Sequence, residues 1–285
     1  MKDFLINING SIEKGIDAKI SVFDRGFLYG DSVYESTRTF SKKPFRIDRH
    51  IDRLFMSAEK ISLTPTYTKE EILKEIQKTI QASPYQNVTL RIVLTRGTNS
   101  DLGLDTELSG PNNLIIFTKE IKSNPSEWLT KGVSMIFYQK KIAASGSLPK
   151  TGNYQENILG NKEAHKLHAY DAFLVNTHGH VTEGTTSNAW IIKNGVLLTP
   201  PLQDGVLDGL TRKTLIEMSE AHLLPLPLVE KSLTKEEMLA ADECFITSTT
   251  RNIVPVTKIE NQLIKDGKPG AITLDLLRLY LDFVK

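Results

Sequence analysis

Four short segments of the sequence carry residue types that suit the binding of a phosphate group. They read LPKTGNY (148–154), VTEGTTSN (181–188), DGLTRK (208–213) and FITSTTRN (245–252). Three are rich in Gly, Ser and Thr and lie at ends of predicted strands or helices, where free backbone N–H groups and hydroxyls suit a phosphate. The first also carries Lys150, between a proline and a Thr-Gly pair. A lone lysine is most often a solvated surface charge, so the other segments must decide its role.

DGLTRK is the segment best suited to an anion. Gly209 is followed by Leu210 and Thr211 at the predicted start of a helix, where the helix dipole favours negative charge. Taken singly, each of the four segments also reads as an ordinary cap or turn. Only their combination points to one ligand.

Other motifs in the chain do not indicate a catalytic or binding site. His178-Gly-His180 resembles a metal pair, but NTHGHV reads more simply as a hairpin turn and no Cys, Asp or Glu completes a metal shell. The single cysteine, Cys244, is expected to be a buried apolar residue. The sequence contains no Walker loop, no GxGxxG after a strand and no GxSxG elbow. We therefore expect no metal site and no nucleotide-binding or hydrolase motif of these kinds.

The elements that must position these segments alternate between helices and strands. In the first part, Asn9-Gly10 predicts a hairpin turn, VYESTRTF (33–40) a strand, and residues 48–61 and 68–81 two helices capped by Asp48 and Thr68. Strands at 88–97 and 113–120 follow. The pattern predicts an α+β domain over residues 1–120 and a polar, proline-containing linker over 121–132. Residues 133–285 are expected to form a larger α+β domain with Lys150, and the cleft between the two domains is a common place for a small-molecule site.

Composition limits the partners of the protein. The chain has 285 residues, of which 35 are basic and 34 acidic, giving a net charge of +1. Such a balance gives no field to attract nucleic acid or an anionic membrane surface. No apolar stretch approaches membrane-spanning length, the N-terminus does not read as a signal peptide, and one cysteine allows no internal disulfide. We expect a soluble cytoplasmic protein that binds neither nucleic acid nor membranes.

The chain resembles the fold-type IV pyridoxal-phosphate enzymes, the class IV aminotransferases. This family contains branched-chain and D-amino-acid aminotransferases and aminodeoxychorismate lyases. The resemblance lies in LPKTGNY, GNKEAH, the block DAFLVNTHGHVTEGTTSNAWIIKNGVLLTPP, DGVLDGLTRK and ADECFITSTTRNIVPV, and in the first half in DRGFLYGDSVYE and HIDRLFMSAEKI. It covers almost the whole chain in the order and spacing of the family.

The resemblance implies a role for each matched residue. Lys150 would form the internal Schiff base with pyridoxal phosphate and shuttle the α-proton. Glu183 would pair with the pyridine nitrogen and keep it protonated, and Arg53 would bind the phosphate as a bidentate donor. The remaining cofactor contacts are the backbone of Leu210 and Thr211, the hydroxyls of Thr249 and Thr186, and the phenol of Tyr154 near the ring oxygen. The loop before Tyr154 is one residue shorter than in branched-chain enzymes.

The substrate residues separate the subfamilies. Tyr29, Tyr34, Arg38 and Arg91 align with side chains that line the pocket of branched-chain aminotransferases. D-amino-acid aminotransferases usually trap the substrate carboxylate with Arg-x-His just after RGT, where this chain has Asp101 and Gly103. An acidic residue does not bind a carboxylate, so Arg91 or Arg251, which follows Thr250 in a turn, must take over.

We therefore expect transfer of an amino group between an amino acid and a 2-oxo acid, with branched-chain L-amino acids first. The alternatives are a D-amino-acid aminotransferase with a non-standard carboxylate site, and then an aminodeoxychorismate lyase or an amine transaminase. A binding protein that has lost catalysis would require Lys150 or Glu183 to be missing, and both are present. Family members are dimers whose active site takes a loop from the neighbouring subunit, so the resemblance also implies a homodimer.

Overall fold

The computed structural model describes residues 4–141 and 146–284, which fall into two compact units. The first contains Met1–Lys122 together with Pro149–Asn153, and the second contains Ser123–Leu148 and Tyr154–Lys285. Each unit combines helices with a sheet, as predicted for an α+β protein. The sequence-based division put Lys150 in the second domain, whereas its short segment packs with the first unit.

The first unit is built on a six-stranded sheet in the order β2-β1-β6-β5-β3-β4, with every neighbouring pair antiparallel. Its elements are β1 (Phe4–Ile8), β2 (Ser11–Lys14), α1 (Arg25–Tyr29), β3 (Ser32–Phe40), β4 (Lys43–Pro44), α2 (Ile47–Lys60), α3 (Lys69–Ala82), β5 (Val88–Thr95) and β6 (Leu114–Glu120). Asn9 and Gly10 have φ values of 50° and 92°, which fits the predicted turn between β1 and β2.

Local sequence signals explain both long helices of this unit. Thr68 accepts the N–H of Glu71 and Glu71 reaches back to Thr68, so α3 begins with a complete capping box, as predicted. The predicted cap at Asp48 is wrong: α2 already begins at Ile47, after Arg46 in a left-handed conformation, and Asp48 lies in its first turn. There its negative charge still favours the helix N-terminus. Apolar side chains of α2 and α3 pack against β3, β5 and β6 to form the core of the unit.

The second unit is built on a ten-stranded sheet. Its elements are α4 (Glu127–Thr130), β7 (Val133–Gln139), α5 (Gln155–Lys166), β8 (Asp171–Val175), β9 (His180–Gly184), β10 (Ser187–Lys193), β11 (Val196–Thr199), a 3-10 turn (Leu202–Asp204), α6 (Leu210–Glu220), β12 (Leu228–Glu230), β13 (Leu233–Thr234), α7 (Lys235–Leu239), β14 (Glu243–Ser248), β15 (Asn252–Ile259), β16 (Gln262–Leu263) and α8 (Ala271–Val284). The strands β10, β14, β15, β7, β8 and β9 follow one another, and β9 also pairs with β10. These six strands therefore form a closed circuit.

The segment predicted as a linker, 121–132, contains the short helix α4 and joins the second unit from Ser123 onward. The core of this unit includes Cys244, where burial raises the pKa of the thiol well above its usual range. An apolar, protonated cysteine of this kind is inert. In the described part of the chain, no helix has both the length and the apolar character needed to cross a bilayer.

Candidate active site

The main chain of Lys150 is fixed on two sides within the first unit. The N–H of Tyr34 donates to the carbonyl of Lys150 at 2.9 Å, and the N–H of Lys150 donates to Oγ of Ser57 at 3.1 Å. Two residues on, the N–H of Gly152 donates to the carbonyl of Ser32 at 2.9 Å. A Cβ at Gly152 would lie 2.5 Å from Oγ of Ser32, so only glycine lets the two segments approach this closely. Residues 150–152 thus run alongside β3.

The amine of Lys150 lies against an aromatic ring that it shares with an arginine. Nζ of Lys150 is 4.5 Å from the ring centroid of Tyr34, and Cζ of Arg91 is 3.9 Å from the same centroid. The Tyr34 side chain is buried, so its ring is a fixed surface for both cations. Lys150, Tyr34 and Arg91 are therefore brought together.

Strand alternation places the predicted substrate residues of β3 and β5 on one face of the sheet. Arg91 is directly opposite Ser36 in the register, so it shares a face with Tyr34 and Arg38, which flank Ser36 in alternation. Cζ of Arg38 lies 4.4 Å from the ring of Phe40. Glu35, between them in sequence, points to the opposite face, where α2 packs. Tyr29, at the end of α1, is part-exposed, and its hydroxyl donates to the carbonyl of Leu102.

Arg53 is held in a buried ion-pair network. Its Nε and one Nη donate to the two carboxylate oxygens of Glu35 at 2.6 and 2.8 Å, and Nδ1 of His50 lies 2.7 Å from Oε2 of the same carboxylate. All three side chains are buried. Burial alone raises the pKa of Glu35, but the charge and hydrogen bonds of Arg53, followed by those of His50, lower it to about 2. Glu35 is therefore a fixed anion that orients both of its partners.

In the second unit, Glu183 lies near the end of β9. It is buried, and its Oε2 accepts the backbone N–H of Leu207 at 3.1 Å. Thr185 and Thr186 follow it in the tight turn to β10. A carboxylate on a strand, held by a main-chain donor, is a well-oriented acceptor.

Leu210 and Thr211 begin α6, with Gly209 as the residue before it. Gly209 has no side chain to cap this end, and a Cβ there would lie 1.9 Å from Oδ1 of Asn188. The first N–H groups of the helix carry the positive end of its dipole. Thr249, also predicted to contact the cofactor, lies in the turn between β14 and β15.

The guanidinium of Arg251 donates hydrogen bonds within the second unit. It donates to Oγ of Ser248 at 2.9 Å, to the hydroxyl of Tyr170 at 3.0 Å, and to both the carbonyl and the hydroxyl of Thr186 at 2.7 Å. Most of its N–H groups are therefore occupied. This argues against Arg251 as the residue that binds the substrate carboxylate and leaves Arg91 as the candidate.

A cavity of about 360 Å³ opens in the second unit beside Arg251. The residues that line it are Tyr154, Asn157, Ile158, Asn161, His165, Tyr170, Asp171, Thr185, Thr186 and Arg251. Three residues predicted from the sequence, Tyr154, Thr186 and Arg251, thus share one cavity, while Thr250 lies in the turn just before Arg251. No group of three or more His, Cys, Asp or Glu residues suited to a metal ion occurs in residues 4–141 and 146–284.

Three residues that sequence reasoning missed belong to the site: Glu35, His50 and Ser57. On α2, His50, Arg53 and Ser57 follow one another at spacings of three and four, which places them on one helix face. That spacing is visible in the sequence once Arg53 is singled out. Glu35 gave no such signal, because a glutamate in an alternating strand reads as solvent-facing.

The comparisons with known proteins decide the family. A family model described as amino-transferase class IV matches residues 32–259. The chain belongs to the class IV aminotransferases. Over 277 residues it is 34% identical to a putative branched-chain-amino-acid aminotransferase of Methanocaldococcus jannaschii, covering 97% of this chain and 95% of the relative. Over 279 residues it is 32% identical to a D-alanine aminotransferase of Listeria monocytogenes, covering 96% and 94%.

Solved structures agree with this assignment. This class IV aminotransferase matches a T.th. branched-chain amino acid aminotransferase with pyridoxamine 5′-phosphate at a TM-score of 0.89 and 26% identity, covering 98% of this chain and 93% of the other. It also shares its fold with a 4-amino-4-deoxychorismate lyase from Pseudomonas aeruginosa, at a TM-score of 0.82 and 23% identity, covering 98% of each chain. The fold is therefore that of the fold-type IV enzymes, as predicted.

Class IV aminotransferases use pyridoxal phosphate, and the donor set of this chain fits that group. The amine of Lys150 suits its aldehyde, and the buried guanidinium of Arg53 suits its phosphate. The buried carboxylate of Glu183 suits a protonated ring nitrogen. The protein is thus a pyridoxal-phosphate-dependent aminotransferase, and its substrates are amino acids and 2-oxo acids.

Proposed function

We propose that this aminotransferase acts preferentially on branched-chain L-amino acids and the corresponding 2-oxo acids. The observation that carries the proposal is the cluster of Lys150, Tyr34 and Arg91, with the amine 4.5 Å and the guanidinium 3.9 Å from one ring. A substrate carboxylate bound at Arg91 would lie beside the amine that must reach the α-carbon. The same face of β3 and β5 carries Arg38, and the T.th. and Methanocaldococcus relatives are named as branched-chain enzymes.

Each candidate site residue then has a defined role. Pyridoxal phosphate, when bound, supplies an electron-withdrawing ring that stabilises negative charge at the substrate α-carbon. Lys150 would hold the cofactor through its Nζ, and the same amine would carry the proton of the substrate α-carbon. The backbone bonds to Ser57 and Tyr34 hold the lysine in place, so only its side chain moves. The carboxylate of Glu183 would accept the ring nitrogen's proton in a hydrogen bond and so would favour the protonated ring.

The phosphate is assigned to residues that offer charge or N–H groups. We assign it to the guanidinium of Arg53, the first N–H groups of α6 at Leu210 and Thr211, and the hydroxyl of Thr249. Tyr154 is assigned to the ring oxygen, with Thr186 nearby in the same cavity. The substrate side chain is assigned to Tyr29, Tyr34, Arg38 and Thr250. Arg251 is assigned a supporting role, since it holds Thr186.

The second candidate is a D-amino-acid aminotransferase. The observation that favours it is the identity of 32% to D-alanine aminotransferases, almost equal to the 34% of the branched-chain relative. Against it stands Asp101, which occupies the place of the arginine that usually binds the D-substrate carboxylate. A lyase or an amine transaminase is less supported, because the lyase match is limited to the fold.

A homodimer in the cytoplasm is the proposed assembly. Two segments of the first unit, around residues 16–29 and 99–110, expose large apolar side chains: Phe23, Phe27, Leu102 and Leu104. Nη1 of Arg25 donates to the carbonyl of Gly103 at 3.1 Å, so these segments form one surface. A contiguous exposed apolar surface of this kind favours association, and light scattering of the purified protein measures the mass directly. A monomer at micromolar concentration would contradict the proposal.

A half-reaction screen tests the substrate. The purified enzyme is mixed singly with L-valine, L-leucine, L-isoleucine, L-glutamate, D-alanine and D-glutamate, and the loss of the yellow cofactor band is followed. Branched-chain L-amino acids should discharge the band fastest. Fast discharge by D-alanine alone would select the second candidate, and the Lys150→Ala variant provides the inactive control.

A further inference from the structure

One nitrogen in the network around Arg53 lacks a partner. His50 is fully buried in α2, and its Nδ1 lies 2.7 Å from Oε2 of Glu35. Its Nε2 is buried and has no hydrogen-bond partner among the described residues. Buried polar atoms are almost always hydrogen-bonded, so this nitrogen requires an explanation.

The charge on Glu35 determines which nitrogen of His50 carries the hydrogen. With its pKa lowered to about 2, Glu35 is ionised at neutral pH and can only accept hydrogen bonds. Nδ1 must therefore donate, and in the neutral ring Nε2 is left as a bare lone pair. To bond an anion, Nε2 would have to gain a proton.

Geometry places the His50 ring beside Arg53, to which the phosphate is assigned. The His50 ring and one Nη of Arg53 contact the same oxygen of Glu35, at 2.7 and 2.8 Å. The two residues are three apart on one helix face, and the next polar residue on that face, Ser57, holds the backbone of Lys150. An anion bound at Arg53 is therefore next to His50.

We propose that His50 is a further phosphate-binding residue, which takes up a proton on Nε2 when the phosphate of the cofactor binds and then donates a hydrogen bond to it. The proposal rests on the proposed function, which assigns the phosphate to Arg53. The proton comes from solvent, and no other bond is made or broken. His50 then couples cofactor binding to proton uptake.

The charges that face His50 fit this coupling. Burial and, more weakly, the charges of Arg53 and Lys150 lower the pKa of His50, while Glu35 opposes them. These charged groups lie on α2, in the Lys150 segment and on β3. A phosphate dianion adds negative charge beside Arg53, so the balance shifts towards the imidazolium.

The experiment compares pyridoxamine 5′-phosphate with pyridoxamine, which differ only in the phosphate and form no bond with Lys150. Each is titrated calorimetrically into cofactor-free protein at about pH 8, in buffers of different ionisation enthalpy, to count protons. The variant His50→Asn keeps a side-chain N–H for Glu35 but has no titratable nitrogen. The control is His222→Asn, an exposed histidine with φ 56°, which asparagine also adopts readily.

Wild type and His222→Asn should take up close to one proton more with the phosphate ligand than with pyridoxamine. In His50→Asn that difference should vanish, and binding of the phosphate ligand should weaken about tenfold at pH 6.5, where the lost bond is charge-assisted. Equal proton uptake in His50→Asn and wild type would overturn the proposal.

A measurement on the wild type covers the case in which His50→Asn does not fold. In ¹⁵N-histidine NMR spectra, Nε2 of His50 should change from an unprotonated to a protonated nitrogen when pyridoxamine 5′-phosphate binds. An Nε2 that stays unprotonated would mean a bound water as its partner and would overturn the proposal. Failure of pyridoxamine 5′-phosphate to bind at all would instead contradict the proposed function.

Discussion

The two units hold their functional groups by different means. In the first, Arg53, Glu35 and His50 are buried side chains that depend on each other's charge. In the second, Glu183 is held by a backbone N–H, and the N–H groups of Leu210 and Thr211 are fixed by the helix itself. Neutralising Glu35 removes the negative charge that Arg53 and His50 both contact inside the first unit. Replacing Glu183 by glutamine keeps an oxygen for the N–H of Leu207, so we expect the cost there to fall more on activity than on folding.

The largest expected effect removes the amine to which we assign the chemistry. Lys150→Ala should lower turnover by at least about 10³-fold, because it removes both the nucleophile and the proton carrier. Steady-state rates measure this, and borohydride reduction should no longer fix the cofactor to the protein. Lys150→Arg keeps a cation over the ring of Tyr34 but cannot replace the amine, so it should be as inactive. Substantial turnover of either variant without added amine would refute the mechanism.

Breaking the first network should destabilise the fold. Glu35→Gln leaves the guanidinium of Arg53 buried without its counterion, which costs about 3–5 kcal/mol. Both tryptophans, Trp128 and Trp190, lie in the second unit. The melting temperature measured by circular dichroism, which reports both units, should therefore fall more than the melting temperature measured by tryptophan fluorescence, which reports the second unit. The exposed Glu59→Gln is the control and should change stability by less than about 0.5 kcal/mol. Equal shifts for the two variants would show that the network contributes little.

Acid should act on the same network. The pKa of Glu35 is about 2 in the folded protein against an ordinary value of 4.5, so its contribution is complete above pH 4.5 and is lost as pH falls towards 2. The loss is on the order of 3 kcal/mol and adds to other acid effects. Urea unfolding at several pH values between these limits measures it. In Glu35→Gln the free energy of unfolding should lose this part of its dependence on pH. An unchanged dependence on pH would assign the effect to another carboxyl group.

The matched change in the second unit should spare stability. Glu183→Gln keeps an oxygen for the N–H of Leu207, so the melting temperature should stay close to wild type. Turnover should fall about 100-fold, because a neutral amide no longer holds a proton on the ring nitrogen. Activity and thermal unfolding are measured on the same preparation. A variant that unfolds as readily as Glu35→Gln would remove the contrast between the units.

The smallest expected effect separates the two candidate arginines. Arg91→Leu should raise the Michaelis constant for the amino acid by about tenfold or more, since a charge-assisted bond to the substrate carboxylate is lost. Cofactor binding should change little. Arg251→Leu should affect the Michaelis constant less, because its N–H groups already bond Ser248, Tyr170 and Thr186. The reverse ranking would transfer carboxylate binding to Arg251.

Much of this arrangement could be predicted from the sequence. The boundaries of α3 followed from the Thr68 cap, and the start of α6 from Gly209, because these signals are local. The candidate residues Lys150, Glu183 and Arg53 came from the resemblance to the family, which spans nearly the whole chain.

What escaped prediction depends on contacts distant in sequence. Glu35 meets Arg53 and His50 only when α2 packs on β3. Lys150 joins the first unit through bonds to Ser57 and Tyr34, about a hundred residues away in the chain. The predicted cap at Asp48 was wrong because Arg46, in a left-handed conformation two residues earlier, precedes the first helical residue. Likewise, only the structure reveals that Arg251 is already occupied.

The clamped peptide of Lys150 has a kinetic consequence. With its N–H on Ser57 and its carbonyl on Tyr34, the lysine loses its backbone freedom when the chain folds, before any ligand arrives. In the proposed mechanism the amine is a tethered reactant, whose translational and rotational entropy has been given up in advance. Tethering of this kind corresponds to an effective concentration far above any that a dissolved amine reaches. Part of the catalytic power proposed for the lysine would thus come from Ser57 and β3, which hold its main chain.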